Sequence, residues 1–239
     1  MKVVILAAGL GKRLKPITEI VPKVMIPINS KPILEYVIKN FKEAGFKDLI
    51  LVIGYKKEQI LNYFGNGKKF GVNIEYVDQG KPLGTGHAVL ITKDKISGNF
   101  VVCYGDSVLP TEHIKEVIKK FNESNLDSVL SVKKVSKEEL KNLGNVIIKD
   151  DRVVDIIEKP SKEKSIGNVA FNGFAVFRNI IFKYLEDLPK RFAGEDGLPD
   201  AIVLMAKDGK AIEFVYAKER LHLTEKEDIE QISKEITSI

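Results

Sequence analysis

Apolar residues recur along this chain with two different periods. Residues 3–6, 49–53 and 100–103 are unbroken apolar runs of four or five residues, each followed within a few positions by glycine. That is the pattern of a strand buried on both faces. Val72, Ile74 and Tyr76 alternate as a third strand, and residues 128–132 give a further one. Between them, Leu34, Val37, Ile38 and Phe41 fall at i, i+3, i+4 and i+7, which puts all four on one face of a helix ending at Gly45. Ile114, Val117, Ile118 and Phe121 repeat that spacing, while 57–64 predicts a shorter helix stopped by Gly65-Asn66-Gly67. Pro16, Pro22 and Pro27 keep residues 14–32 irregular and extended. Strands and helices alternating at this spacing predict right-handed βαβ units and a mainly parallel sheet.

The texture changes from about residue 144. Apolar residues 146–148, a turn at Asp150-Asp151 and residues 153–157 read as a hairpin that ends in Glu158-Lys159-Pro160. Residues 171–177 predict a strand, and Ile180, Ile181, Tyr184 and Leu188 one face of a helix. A buried helix over 199–207 and a strand over 211–217 come after these. Ser136 with Glu139, and Thr224 with Glu227, have the spacing of capping boxes, the second opening a last helix that carries Ile229, Ile232 and Ile236. No linker, repeat or low-complexity tract interrupts the chain. The expectation is one continuous domain, 1–239, of the α/β class, with a Rossmann-like, mainly parallel mixed sheet flanked by helices. Its first half, to about residue 110, would bind a nucleotide, and its second half, about 111–239, a second substrate.

Composition narrows the function classes. At 239 residues, 44% of them hydrophobic, the chain is long enough for a large α/β core. No apolar run approaches 18 residues and no signal-peptide pattern stands at the start, so a membrane role is not expected and a cytoplasmic setting is. Cys103 is the single cysteine, which excludes an internal disulfide and a cysteine-based zinc site. The net charge of +5 comes from lysines interspersed with glutamates along helix faces, without a compact basic run, so nucleic acid is not an expected partner.

The chemistry gathers at the start. The strand over 3–6 runs into Ala7-Ala8-Gly9-Leu10-Gly11, then Lys12 and Arg13, with Lys23 a short way on. Backbone N–H groups in such a turn can point at an anion, glycines allow close approach, and the cations suit phosphates. Leu14 stands where a dinucleotide fingerprint needs its third glycine, and no Gly-Lys-Ser/Thr is present to make a P-loop. Asp106 ends a strand at the edge where open α/β sheets bind ligands, and a carboxylate there is a hard ligand for Mg²⁺ or an ordinary helix-capping residue. A second glycine-rich turn, Gln79 to Gly86, opens a further helix, in which His87 reads as a packed residue.

The string Leu6-Ala7-Ala8-Gly9, Gly11, Arg13, Pro22-Lys23 and Pro27 resembles the signature of the sugar-phosphate nucleotidylyltransferases, also known as NDP-sugar pyrophosphorylases. Gly84-Thr85-Gly86, Gly105-Asp106, Glu158-Lys159-Pro160 and Leu198-Pro199-Asp200-Ala201-Ile202 occur in that family's order, so the likeness covers nearly the whole chain. It implies a nucleotide-diphospho-sugar transferase fold and the reaction of an NTP, with UTP or dTTP favoured, and a sugar 1-phosphate to NDP-sugar and pyrophosphate, with Mg²⁺ as cofactor. It further implies Arg13, Lys23 and Asp106 as catalytic residues, and Leu6, Ala8, Gly9, Gly11, Lys12, Gln79, Gly84 and Thr85 around the nucleotide. Lys12 reads equally as a solvated surface lysine. Gly144, Glu158, Lys159 and Asn172 would serve the sugar phosphate.

Two departures stand out. Ala175 replaces an aromatic after Phe171-Asn172-Gly173, which leaves recognition of the sugar's 2-position open. His222 stands where many members have a second metal carboxylate, in Arg220-Leu221-His222-Leu223-Thr224. Neutral imidazole is a poorer Mg²⁺ ligand than carboxylate, so His222 reads as a ligand to a softer metal or to phosphate, or as a residue of a capping turn. The competing readings are a CTP- or GTP-using transferase acting on another phosphorylated alcohol, and a non-catalytic regulatory subunit; a dehydrogenase is weakened by Leu14. The chain ends without the β-helical repeat that some members append, so a single activity is expected, with a homo-oligomer left open.

Overall fold

The computed structural model describes residues 1–161, 164–191 and 197–236. The chain starts with strand β1 (Lys2–Leu6) and continues through the single-turn helix α1 (Ile17–Ile20), a two-residue hairpin of β2 (Pro27–Ile28) and β3 (Lys31–Pro32), helix α2 (Ile33–Glu43), strand β4 (Asp48–Ile53), helix α3 (Lys57–Phe64) and strand β5 (Asn73–Asp78). β4 pairs in parallel with both β1 and β5, with Leu49 opposite Val3 on one side and Ile74 on the other. Val3, Val4 and Ile5 are fully buried, as an unbroken apolar run requires. α2 buries Leu34, Val37, Ile38 and Phe41, the face predicted by their spacing. Residues 14–32, expected to be irregular, carry only the short elements α1, β2 and β3, and single turns at Lys12–Leu14 and Lys23–Met25 present Lys12, Arg13 and Lys23.

Helix α4 (Thr85–Leu90), strand β6 (Phe100–Tyr104), strand β7 (Ser107–Val108) and helix α5 (Thr111–Glu123) come next. After them stand strand β8 (Ser128–Lys134), the one-turn helix α6 (Lys137–Leu140), strands β9 (Gly144–Lys149), β10 (Arg152–Glu158) and β11 (Val169–Phe177), helices α7 (Ile181–Arg191) and α8 (Leu198–Lys207), and strand β12 (Ile212–Tyr216); β13 (Leu221–His222) and α9 (Glu227–Glu235) end the chain. Two compact units result, interleaved along the sequence. One comprises Met1–Pro82, Cys103–Lys115 and Glu219–Ile239; the other comprises Leu83–Val102 and Glu116–Lys218.

In the second unit β8 pairs antiparallel with β11 and parallel with β12, while β9 and β10 form the predicted hairpin. β11 bulges between Phe171 and Ala175, where Gly173 takes φ +72. α8 is buried along most of its length, from Leu198 to Met205, as its apolar run predicts.

In the first unit β13 pairs antiparallel with β7, setting His222 opposite Ser107. The capping box predicted at Thr224 and Glu227 does not form. The Thr224 hydroxyl is engaged with His222 Nδ1 at 3.1 Å, and the Asp228 carboxylate accepts instead from the backbone N–H of Thr224 (2.5 Å) and Glu225 (2.7 Å). A hydroxyl given to a tertiary partner is lost to the helix end. Among the described residues no helix is long and apolar enough to cross a membrane.

The Ser136–Glu139 box does form: Ser136 Oγ accepts from Glu139 N at 3.2 Å, and Glu139 Oε2 accepts from Ser136 N at 2.8 Å. The Ser136 amide, then its hydroxyl, hold the Glu139 carboxyl below the ordinary glutamate range. Ser136→Ala is expected to cost about 1 kcal/mol locally, read as roughly fivefold faster amide exchange at Glu139 and Leu140. Because the folded pKa is depressed, the carboxylate's contribution is present above the ordinary glutamate pKa and fades as pH falls through the lower folded one. The ratio of variant to wild-type exchange should therefore narrow in acid.

Candidate functional site

The opening turn is shaped by the side chains packed against it. Gly11 has φ +61, and a Cβ there would lie 2.7 Å from Thr18 Cγ2 and 3.0 Å from Lys23 Cβ. Thr18 Oγ1 donates to the Gly11 carbonyl at 3.0 Å. Only glycine fits both the backbone angle and the space, so the turn closes directly onto Lys23. At Gly9, by contrast, nothing lies within 4 Å of an added Cβ, and that side of the turn is open. Leu6 ends β1, Ala8 is buried behind the turn, and Lys12 and Arg13 are exposed on it. Leu14, which breaks the dinucleotide pattern, is a fully buried core residue.

The end of β6 comes to the same place. Gly105 N donates to the Leu6 carbonyl at 2.9 Å, an approach that leaves no room for a side chain, since a Cβ would lie 3.0 Å from that oxygen. Asp106 thereby projects beside the turn, and its Oδ2 pairs with Lys23 Nζ. His222 Nε2 lies 3.4 Å from Asp106 Oδ1, and the Leu223 amide donates to the Asp106 carbonyl at 3.1 Å. The three side chains are 18% (Lys23), 14% (Asp106) and 20% (His222) exposed, shielded enough for charge to matter and open enough for a ligand to reach.

Burial alone would raise the Asp106 carboxyl, but the Lys23 charge and then His222 pull it the other way, and it ends well below the usual carboxylate range. Burial and the neighbouring Arg220 charge push His222 down to about 4, so its ring is neutral at neutral pH. Arg220 is pushed down to about 10 by burial, against the Asp106 charge, and stays a cation; its Nε donates to Ser107 Oγ at 2.9 Å. Among the described residues no group of three or more His, Cys, Asp or Glu side chains is placed to hold a metal ion.

Gln79, half-buried, stands just after β5 in the first unit, its amide donating to the Ile53 carbonyl at 2.8 Å. The remaining candidates belong to the second unit. Gly84 precedes α4 with φ +100, and Thr85 Oγ1 accepts from Leu198 N at 2.9 Å, tying α4 to the start of α8. Gly144 faces Glu158 across the β9–β10 ladder, and a Cβ on it would lie 2.5 Å from Glu158 Oε1. The glycine therefore makes room for a carboxylate of its own chain. Burial raises the Glu158 carboxyl, with Lys159 opposing and Asp200 adding to the rise. Lys159 takes φ +43, rare for a side-chain-bearing residue, and its amide is held by the Leu143 carbonyl at 3.0 Å. Asn172 is fully buried, and its Nδ2 donates to Ser131 Oγ at 2.9 Å.

Residues 2–221 match the family described as nucleotidyl transferase. The chain belongs to that family. It is 35% identical over 217 residues to the low-salt glycan biosynthesis nucleotidyltransferase Agl11 of Haloferax volcanii, covering 89% of this chain and 59% of that one. It is 32% identical over 216 residues to the UTP–glucose-1-phosphate uridylyltransferase AglF of the same organism, covering 90% and 87%. Several other curated relatives are longer, and the chain spans 48% of their length. Among solved structures, a UDP-glucose pyrophosphorylase complexed with UDP-glucose superposes with a TM-score of 0.84 at 26% identity, covering 99% of this chain and 98% of that one. The expected fold class is thereby borne out.

In this member of the family Arg220 lies near Asp106, and Thr224 touches the His222 ring, two residues not named as site residues from the sequence. Arg220 immediately precedes β13, two positions before His222. The packing of the turn separates its two glycines experimentally. Gly11→Ala should lower the unfolding free energy by about 1–3 kcal/mol, whereas Gly9→Ala should stay within about 0.5 kcal/mol of wild type, both measured by denaturant unfolding.

Proposed function

We propose that this protein transfers a nucleotidyl group from an NTP, UTP or dTTP, to a sugar 1-phosphate, releasing pyrophosphate. The observation that carries the reading is the Lys23–Asp106 pair, seated against the glycine turn at the ends of β1 and β6 in a chain of this family. UTP is favoured over CTP and GTP by the relative named for UTP and glucose 1-phosphate.

An oxygen of the sugar phosphate attacks the α-phosphorus, the bond from that phosphorus to the β-phosphate oxygen breaks, and pyrophosphate leaves with the electron pair. The nucleophile is already ionised, so no protein base is required. Two polyanions must approach each other, and positioned cations lower the barrier. Arg13, planar and permanently charged, suits the departing pyrophosphate, with Lys12 beside it. Lys23 is the cation that can turn from Asp106 to the α-phosphate. The open side of Gly9 allows the triphosphate to reach the turn's amides. In the second unit we assign Glu158 to the sugar hydroxyls and Lys159 to the sugar's phosphate, with Gly144 and Asn172 supporting them from the neighbouring strands.

A divalent cation fits the donor set: Asp106 offers a hard, ionised oxygen, and a cation of the Mg²⁺ type takes one or two carboxylates and completes its shell with phosphates and water. When bound it would neutralise phosphate charge.

A matrix of NTPs and sugar 1-phosphates with Mg²⁺ tests the reading through pyrophosphate release. Release is expected with a uridine or thymidine triphosphate and a hexose 1-phosphate; none with any pair would sink the proposal. Lys23→Ala and Asp106→Ala, each checked for folding by thermal melt, should slow turnover more than about tenfold, or roughly 1.4 kcal/mol of transition-state stabilisation. Unchanged rates would remove those residues from the mechanism.

A further inference from the structure

The residue that fits the opening turn is also the one least able to hold its shape. Glycine at 11 satisfies φ +61 and the close packing of Thr18 and Lys23, but glycine restrains its own backbone less than any other residue. In a planar trans peptide the N–H points opposite to the C=O. A rotation of the Gly11–Lys12 peptide would therefore turn a carbonyl oxygen to the side where the Lys12 amide now points. Two donors oppose it. The Gly11 carbonyl accepts from the Leu14 amide at 2.9 Å and from Thr18 Oγ1 at 3.0 Å. Thr18 is 2% exposed and belongs to α1, a single turn too short to be stable alone. α1 is fastened from the segment that follows β4. Tyr55 OH donates to the Thr18 carbonyl at 2.9 Å, and Gln59 Nε2, on α3, donates to the Ile20 carbonyl at 2.9 Å. The end of β4 meets the turn a second time at Gly54, where a Cβ would lie 3.1 Å from Ala8 Cβ.

We propose that Tyr55 is a positioning residue for the glycine turn and acts through Thr18. Its hydroxyl fixes the Thr18 backbone, the Thr18 hydroxyl holds the Gly11 carbonyl, and the Lys12 amide of the same peptide is kept facing the other way. Neither side chain is required to touch the ligand. A carbonyl oxygen turned toward a phosphate would repel it, so the relay acts on nucleotide affinity. The inference rests on the reading of the turn as the seat of the triphosphate.

Titration calorimetry with UTP and Mg²⁺, without sugar phosphate, tests it. Thr18→Val should weaken UTP binding about tenfold, and Thr18→Ser, which keeps the hydroxyl, should recover most of that loss. Tyr55→Phe should weaken binding about threefold, and the double variant no more than about tenfold, because the two residues act in series. Losses that multiply to about thirtyfold overturn the relay. So does undiminished UTP affinity in Tyr55→Phe, the variant that carries the test if Thr18→Val does not fold. A merely structural role would lower the melting temperature of these variants and leave UTP affinity unchanged, which also overturns the proposal. If wild type binds neither UTP nor dTTP, the nucleotide reading of the turn fails, and hydrogen exchange at the Leu14 amide still decides the relay. Exchange about tenfold faster in Thr18→Val and about threefold faster in Tyr55→Phe is expected, and rates equal to wild type overturn it.

Discussion

A carboxylate largely withdrawn from water has to be neutralised, and the first unit is organised around doing so for Asp106. Desolvation alone opposes its charge, and the Lys23 ammonium reverses the balance. Removing one partner of a buried pair typically costs about 3–5 kcal/mol, because the other is left uncompensated. That makes the geometry of the pair a strong constraint on its neighbours. Gly105 must lie against the β1 carbonyl for Asp106 to project beside the turn, and Gly11 must lack a side chain for Lys23 to lean across it.

The remaining walls of this arrangement come from far along the chain. β13 is two residues long, yet it brings Arg220 and His222 to Asp106, and the Leu223 amide to the Asp106 carbonyl. So short a strand has little pairing energy of its own. Its anchors lie at the start and along the length of α9. Asp228 gathers the amides of Thr224 and Glu225, and Asn29 Nδ2, in the turn between β2 and β3, donates to the Ser233 carbonyl at 2.7 Å. The last helix thus fastens a strand whose side chains address a carboxylate more than a hundred residues upstream.

These anchors explain which features the sequence made legible. The buried strands and α2 were readable because their apolar period is local and their burial tracks it. The glycine turn was readable because φ and close packing leave few alternatives at Gly11. Thr224 was misread as a capping residue because its hydroxyl has two candidate partners, and only the tertiary position of His222 decides between them. Gly144 was legible as a position needing no side chain, but that the Glu158 carboxylate fills the space beside it is a relation set by strand register. Arg220 was not singled out because a two-residue strand has no periodicity to detect.

A histidine at 222, where the resemblance to the family leads one to expect a carboxylate, alters the charge around the opening turn. Lys23 pairs with Asp106, the His222 ring lies beside the same carboxylate, and Arg220 feels both Asp106 and Asp228. An aspartate at 222 would set a second anion against Asp106, adding repulsion and desolvation to a site already carrying one buried charge. A neutral ring adds no anion there, and so leaves the cations beside the turn better suited to a polyanion.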